Sequence, residues 1–292
     1  NGSGSLVNLS NLNEFIDNTY DDSLIESTDG GTINVANLTD LNAVSLVFDS
    51  SPLNTPTSQI VNFTNGSITA DGVTPDLSGL VNIDGSNFYG NNGGVIDLSQ
   101  ILSYLSSGDT FIQADGTGSK IDLSSLTSLP GPTSSYRHRN IDSVNGGEID
   151  LSGVTSIPSG ATEIRANGSG SLVNLSNLNE FIDNAYDDSF IESTGQGVIN
   201  IGNLNTITEV DLTADASDLN LPGLTTAIGD NQFQALNDGT LNLLNFTTIL
   251  DGTLNAVANG ENSVISIPGI NDTPDDNFIP LEENGGDIVI SV

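Results

Sequence analysis

The sequence contains no cysteine, methionine or tryptophan. Without cysteine no disulfide can staple the fold and no Cys/His site can hold zinc, so stability must come from packing and backbone pairing. Basic residues are almost missing: four Lys and Arg stand against 38 Asp and Glu, leaving a formal charge of −34. A field of that sign repels phosphate backbones and anionic membrane surfaces, which excludes nucleic-acid binding, and it attracts divalent cations. Aromatic residues are only 5% of the chain and apolar residues 36%, a lean supply for a globular core. No stretch approaches the roughly 18 consecutive apolar residues that a membrane-spanning helix requires, and the first residues show no basic-then-apolar signal pattern. No membrane insertion is expected.

What is present is repetition. Residues 1–28 return as residues 167–194 with two changes, Ala185 in place of Thr19 and Phe190 in place of Leu24, so a long period of 166 residues runs through the chain. Inside it lies a shorter unit, apolar–Asx–apolar followed by Ser or Pro and a second apolar series, as in Ile121-Asp122-Leu123-Ser124-Ser125-Leu126 and Ile149-Asp150-Leu151-Ser152-Gly153-Val154. The second position of this unit falls at Asn8, Asn34, Asn54, Asp76, Asp97, Asp122, Asp150, Asn174, Asn200, Asn220, Asn242, Ser266 and Val289. That makes thirteen units with a mean spacing of about 23 residues, grouped by sevens within the long period.

Each unit divides into three short strands. In the first, period-two alternation turns Ile96 and Leu98, Ile121 and Leu123, or Ile149 and Leu151 inward and the Asx outward. Ser or Pro two residues after the Asx makes a corner. A second apolar pair follows, such as Leu126 with Leu129 or Leu178 with Phe181, and a third strand ends near glycine, as in Phe111-Ile112-Gln113-Ala114-Asp115-Gly116. A single coil of this kind cannot bury its apolar residues, but stacked coils about 4.8 Å apart can. The expected fold is all-β: a three-walled parallel β-helix (β-solenoid), right-handed, with about thirteen coils and a length of roughly 60 Å. Leucine-rich repeats share the period but carry an LxxLxLxxN pattern that is absent here. The chain is expected to be one solenoid over 1–292, with a seven-coil super-repeat over 1–166 and a second, partial one over 167–292. Its first residues, Asn1-Gly2-Ser3-Gly4, recur internally at Asn167-Gly168-Ser169-Gly170, so the sequence reads as a piece of a longer protein with open ends.

The phrase Gly118-Ser119-Lys120-Ile121-Asp122-Leu123-Ser124-Ser125-Leu126-Thr127-Ser128-Leu129, in its recurring forms, resembles the β-helical repeat arrays of large secreted bacterial surface proteins. That resemblance covers nearly the whole chain and implies an extracellular or cell-surface location in a bacterium, with adhesion or the assembly of fibres or layers as the role. It implies no chemistry.

Three groups of residues are candidate sites. Asp97, Asp122 and Asp150 fall on consecutive coils, so their carboxylates would stack about 5 Å apart and repel unless a cation intervenes; calcium suits such oxygen ligands, while a solvated hydrogen-bonded ladder is the alternative. Asp17, Asp21 and Asp22 share one loop that returns as Asp183, Asp187 and Asp188, with the same two readings, and Asp272, Asp275 and Asp276 crowd another. All basic residues lie between 120 and 165, and Tyr136-Arg137-His138-Arg139 interrupts the longest coil. On so acidic a body this segment is the place for an anionic partner, either an anionic glycan or the acidic flank of another copy. Some β-helices are polysaccharide lyases or hydrolases, but their sites need a basic residue beside carboxylates, or paired carboxylates in a groove, that break the repeat. Only residues 136–139 do so. The chain is therefore read as a non-enzymatic structural protein needing no cofactor, forming a stalk, fibre or surface layer by end-to-end or lateral contact with its own copies, with a glycan-binding adhesin module as the alternative.

Overall fold

The computed structural model describes residues 2–18, 23–27, 30–49, 57–132, 134, 136–185, 188–270 and 277–290. Every strand pairing among them is parallel, and no helix occurs among them. One wall of the solenoid is a twelve-stranded sheet running from Ser23–Glu26 to Phe278–Glu283. The Asx wall holds eleven strands in separate sheets of two, five and four strands, and the remaining wall holds sheets of three and five. The β-solenoid therefore has about eleven turns.

The count is lower than the thirteen units expected. Asn54 lies outside the described residues, and Asp76 sits in an irregular stretch that keeps its corner but forms no strand. Twelve long-wall strands spaced about 4.8 Å apart give a stack of about 50 Å rather than 60. Parallel pairing is compatible with either hand of coil, so the right-handed sense stays an expectation.

Period two explains the walls. On the long wall, buried and part-buried residues alternate, and the inward positions form columns up the axis: Ile112, Ile141, Ile164, Ile191 and Leu212 in the middle of the strands, Ala114, Ser143, Ala166, Ser193 and Ala214 near their ends. β-Branched residues suit the flat interior, and small ones occupy the column beside the turn into the next coil. On the Asx wall Ile96, Ile121, Ile149 and Val173 stack in register and are fully buried, as are Leu98, Leu123, Leu151 and Leu175. The second-wall pairs Leu126 and Leu129, Val154 and Ile157, and Leu178 and Phe181 are buried as the pattern required. Edge-to-face ring pairs, Phe88 with Tyr104 and Phe233 with Phe246, fill the wider cross-sections.

The turn from the long wall into the Asx wall needs glycine for space. A Cβ on Gly147 would lie 2.2 Å from the Ala114 carbonyl oxygen of the coil below, and one on Gly94 would lie 2.0 Å from that of Ala70. Paired glycines in the sequence thus mark where one coil's backbone rests on the next.

Candidate functional site

The Asx residues act first on their own backbone. Oδ1 of Asn8, Asn34, Asp76, Asp97, Asp122, Asp150 and Asn174 each accepts a hydrogen bond from the backbone N–H two residues on, which fixes the corner. Asp97 also accepts from the Ser99 hydroxyl at 2.6 Å, and this bond, with the Ser99 N–H, holds its carboxyl below the usual carboxylate range. Where the column carries Asn, the amides link coil to coil: Asn174 Nδ2 donates to Asp150 Oδ1, Asn200 to Asn174, and Asn242 to Asn220. Either Asp or Asn can therefore make the corner, and Asn adds an axial bond.

Asp97, Asp122 and Asp150 do stack on adjacent rungs. A cation already stands beside them. Lys120 Nζ lies 2.8 Å from Glu148, 3.8 Å from Asp122 and 4.0 Å from Asp150, and the Glu148 bond leads the interactions that raise the lysine pKa. No group of three or more His, Cys, Asp or Glu side chains is arranged to hold a metal among the described residues. In the repeated acidic loop, Asp21, Asp22 and Asp187 lie outside the described residues, as do Asp272, Asp275 and Asp276. Asp17 accepts a 2.7 Å bond from the Ser23 hydroxyl. Its counterpart Asp183 is 3% exposed; Oδ1 accepts from the Ala185 N–H, and Oδ2 has no hydrogen-bond partner among the described residues. The equivalent serine, Ser189, instead accepts from the Thr162 N–H. Asp188 is exposed, on the flank of Asp211, whose carboxyl burial raises.

The basic segment does not form one surface patch. Arg137 pairs with Asp109 at 2.6 Å, and Asp109 also accepts the His138 N–H. His138 Nδ1 is 3.8 Å from Glu163, and Tyr136 is 71% exposed with a positive φ of 61°. Arg139 corrects the expectation: it opens a long-wall strand at an inward position and is fully buried. Its guanidinium lies 4.1 Å over the Tyr104 ring and donates through Nη2 to the carbonyls of Pro130 and Tyr104, while Nε and Nη1 have no hydrogen-bond partner among the described residues. The Tyr104 hydroxyl donates to the Ser86 carbonyl. Arg165, outside on the same wall, faces Glu163 at 2.9 Å, Glu192 at 3.2 Å and Asp142 at 3.5 Å and covers Phe190. Burial raises the Asp142 carboxyl despite that arginine. Every basic side chain thus either meets a carboxylate or is buried.

No protein-family model, curated protein or solved structure matches the chain. Function must then be argued from this geometry alone. It offers axial ladders, internal ion pairs and periodic surfaces.

Proposed function

We propose that the chain is an extracellular structural module of a bacterial surface protein: a stiff acidic rod that serves as stalk, fibre or layer element, joined to further copies end to end or laterally. The observation that carries this reading is the consumption of polar groups by the scaffold itself. Asx side chains make corners and ladders, and the basic side chains are spent on acids of neighbouring coils or buried in the core. A parallel sheet of twelve strands is a mechanical element, each rung held by the next. Calcium belongs to the proposal as a surface cross-link between the exposed carboxylates of acidic coils. Electron microscopy of the purified chain, with calcium and with chelator, tests it. Filaments or lateral sheets support the assembly, and monodisperse short rods under both conditions refute it.

The second reading, an adhesin module, draws on Tyr136, Arg137 and His138, which stand outside the repeat on the longest coil. Retention of an anionic glycan that is lost in Arg137→Ala would favour it. Turnover of a uronate polymer would replace both readings with a lyase.

A further inference from the structure

The Asx wall is interrupted at one place between two well-formed coils. Val198–Asn200 pairs with the coil before it and Asp218–Asn220 with the coil after it, but the two do not pair with each other. The other walls run through this point unbroken, Thr206–Thr208 with Thr226–Ile228 and Leu212–Asp215 with Phe233–Leu236. The cause is a short corner. At every other corner from Asn91 onward three or four residues lead from the long wall to the Asx wall, as Asn145-Gly146-Gly147 does; here only Ala216 and Ser217 do, with Ala216 taking the same positive φ that Asn145 takes at its longer corner. Strand Asp218–Asn220 is thereby held off the ladder.

The consequences fall on backbone and side chains together. At regular rungs Lys120 N–H donates to the Gly94 carbonyl and Leu98 N–H to that of Asp122; the equivalent bonds from Asp218 to Gly197 and from Ile201 to Asn220 are missing. The Gly197 carbonyl accepts from the Ser193 hydroxyl at 2.7 Å, as Gly147 does from Ser143 at a regular rung, and the Ser217 hydroxyl at 3.0 Å stands in for the missing N–H. The amide ladder breaks as well: Asn200 Nδ2 reaches back to Asn174 and Asn220 Oδ1 accepts from Asn242, and no bond joins the Asn200 and Asn220 amides to each other. A groove of about 610 Å³ lies over this gap, lined by Gln196, Val198, Ser217, Asp218, Asn220 and Asp238 among others.

We infer that this groove is a binding site for a neutral, hydroxyl-rich glycan. The continuous second and long walls hold the two strand edges too close for a whole strand to enter between them, since a strand needs about 4.8 Å on each side. A hydroxyl is small enough, and it donates and accepts at once, so it can meet an unpaired N–H and an unpaired C=O together. Val198, half exposed, offers an aliphatic face to the C–H side of a sugar ring. Asp218 and Asp238 repel anionic sugars. The site goes beyond the scaffold reading and does not depend on it.

The test uses the ¹⁵N-labelled chain titrated with maltohexaose, cellohexaose, laminarihexaose and chitohexaose, and separately with a capped peptide copying residues 239–244. At least one sugar, at millimolar concentration, should shift the amides of 198–201 and 217–220 while those of 120–123 stay fixed. Asn220→Ala should weaken that binding about fivefold or more. Inserting one glycine after Ala216 should let the strands pair and abolish the shifts, with the far-ultraviolet circular dichroism unchanged. Absence of shifts with every sugar, equal shifts in a folded insertion variant, or stronger shifts with the peptide would overturn the inference. Should the insertion variant not fold, full retention of affinity in Asn220→Ala does the same. Filament formation is scored separately, so its failure leaves this result intact.

Discussion

Arg139→Met should make the protein more stable, although it removes the largest fully buried side chain of the core. A guanidinium keeps its charge, and the effective cost of burying an ion is several kcal/mol. Two orphaned buried donors, Nε and Nη1, add about 1–3 kcal/mol each. Against this stand the contact with Tyr104, worth about 2 kcal/mol or somewhat more when desolvated, and two carbonyl bonds at 3.2 and 3.4 Å, the second long enough to be weak. The sum favours removal of the charge. Methionine keeps the length and lays its sulfur against the Tyr104 ring, so a gain of about 1–3 kcal/mol is expected, by analogy with replaced buried ion pairs. Urea denaturation would show a higher midpoint with an unchanged slope. Arg139→Ala, which leaves a cavity, should give up that gain and lose about 2 kcal/mol or more relative to methionine. A loss above about 2 kcal/mol in Arg139→Met would refute the reasoning, because it would mean that the guanidinium is compensated by partners other than those named.

The corner argument predicts that Asp97→Asn stays within about 0.5 kcal/mol of wild type while Asp97→Ala loses about 1 kcal/mol, since only alanine gives up the bonds to Ser99; differential scanning calorimetry would separate them, and equal losses would sink the Asx-turn account. Gly147→Ala drives a Cβ into the Ala114 carbonyl and should lose about 3 kcal/mol or more, whereas Gly108→Ala, with open space around it, should be nearly neutral; similar melting temperatures for the two would contradict the contact. Burial raises Asp142 and Asp211, so the folded chain holds their protons at a pH where the unfolded chain, near its ordinary value of 3.8, has shed them. Their contribution to stability therefore grows as pH falls toward that value. Asp76 and Asp97 are lowered by their serine bonds, so what they contribute is present above 3.8 and disappears only as the pH drops through their own, lower values. Together with relief of the −34 charge, the melting temperature should rise as the pH falls from neutrality toward 3.8 and drop again once the pH passes below that value. Asp142→Asn with Asp211→Asn should flatten the rise, and an unaltered profile would remove these two groups as its cause.

Period two and the 23-residue repeat sufficed for the parallel stack, because an inward column at each coil is the only way so few apolar residues can be buried. The stacking of Asp97, Asp122 and Asp150 followed from the same register. Spacing alone could not show what those carboxylates meet. Lys120 offsets part of their charge only because two paired strands bring Asp122, Glu148 and Asp150 around one ammonium. Arg139 was grouped with its exposed neighbours because adjacency in sequence says nothing about which face of a strand a side chain takes; alternation counted from Ile141, two residues on, would have turned it inward. The interrupted wall had a faint signal in the 20-residue spacing from Asn200 to Asn220, the same as from Asn34 to Asn54, and in Asp215-Ala216-Ser217-Asp218-Leu219-Asn220 echoing Asp49-Ser50-Ser51-Pro52-Leu53-Asn54. The sequence by itself determined the fold, since hydrophobic periodicity is local and additive along the chain. Which groups are spent and which stay open was decided only in three dimensions, where a corner one residue short leaves two strand edges unpaired while the walls on either side remain closed.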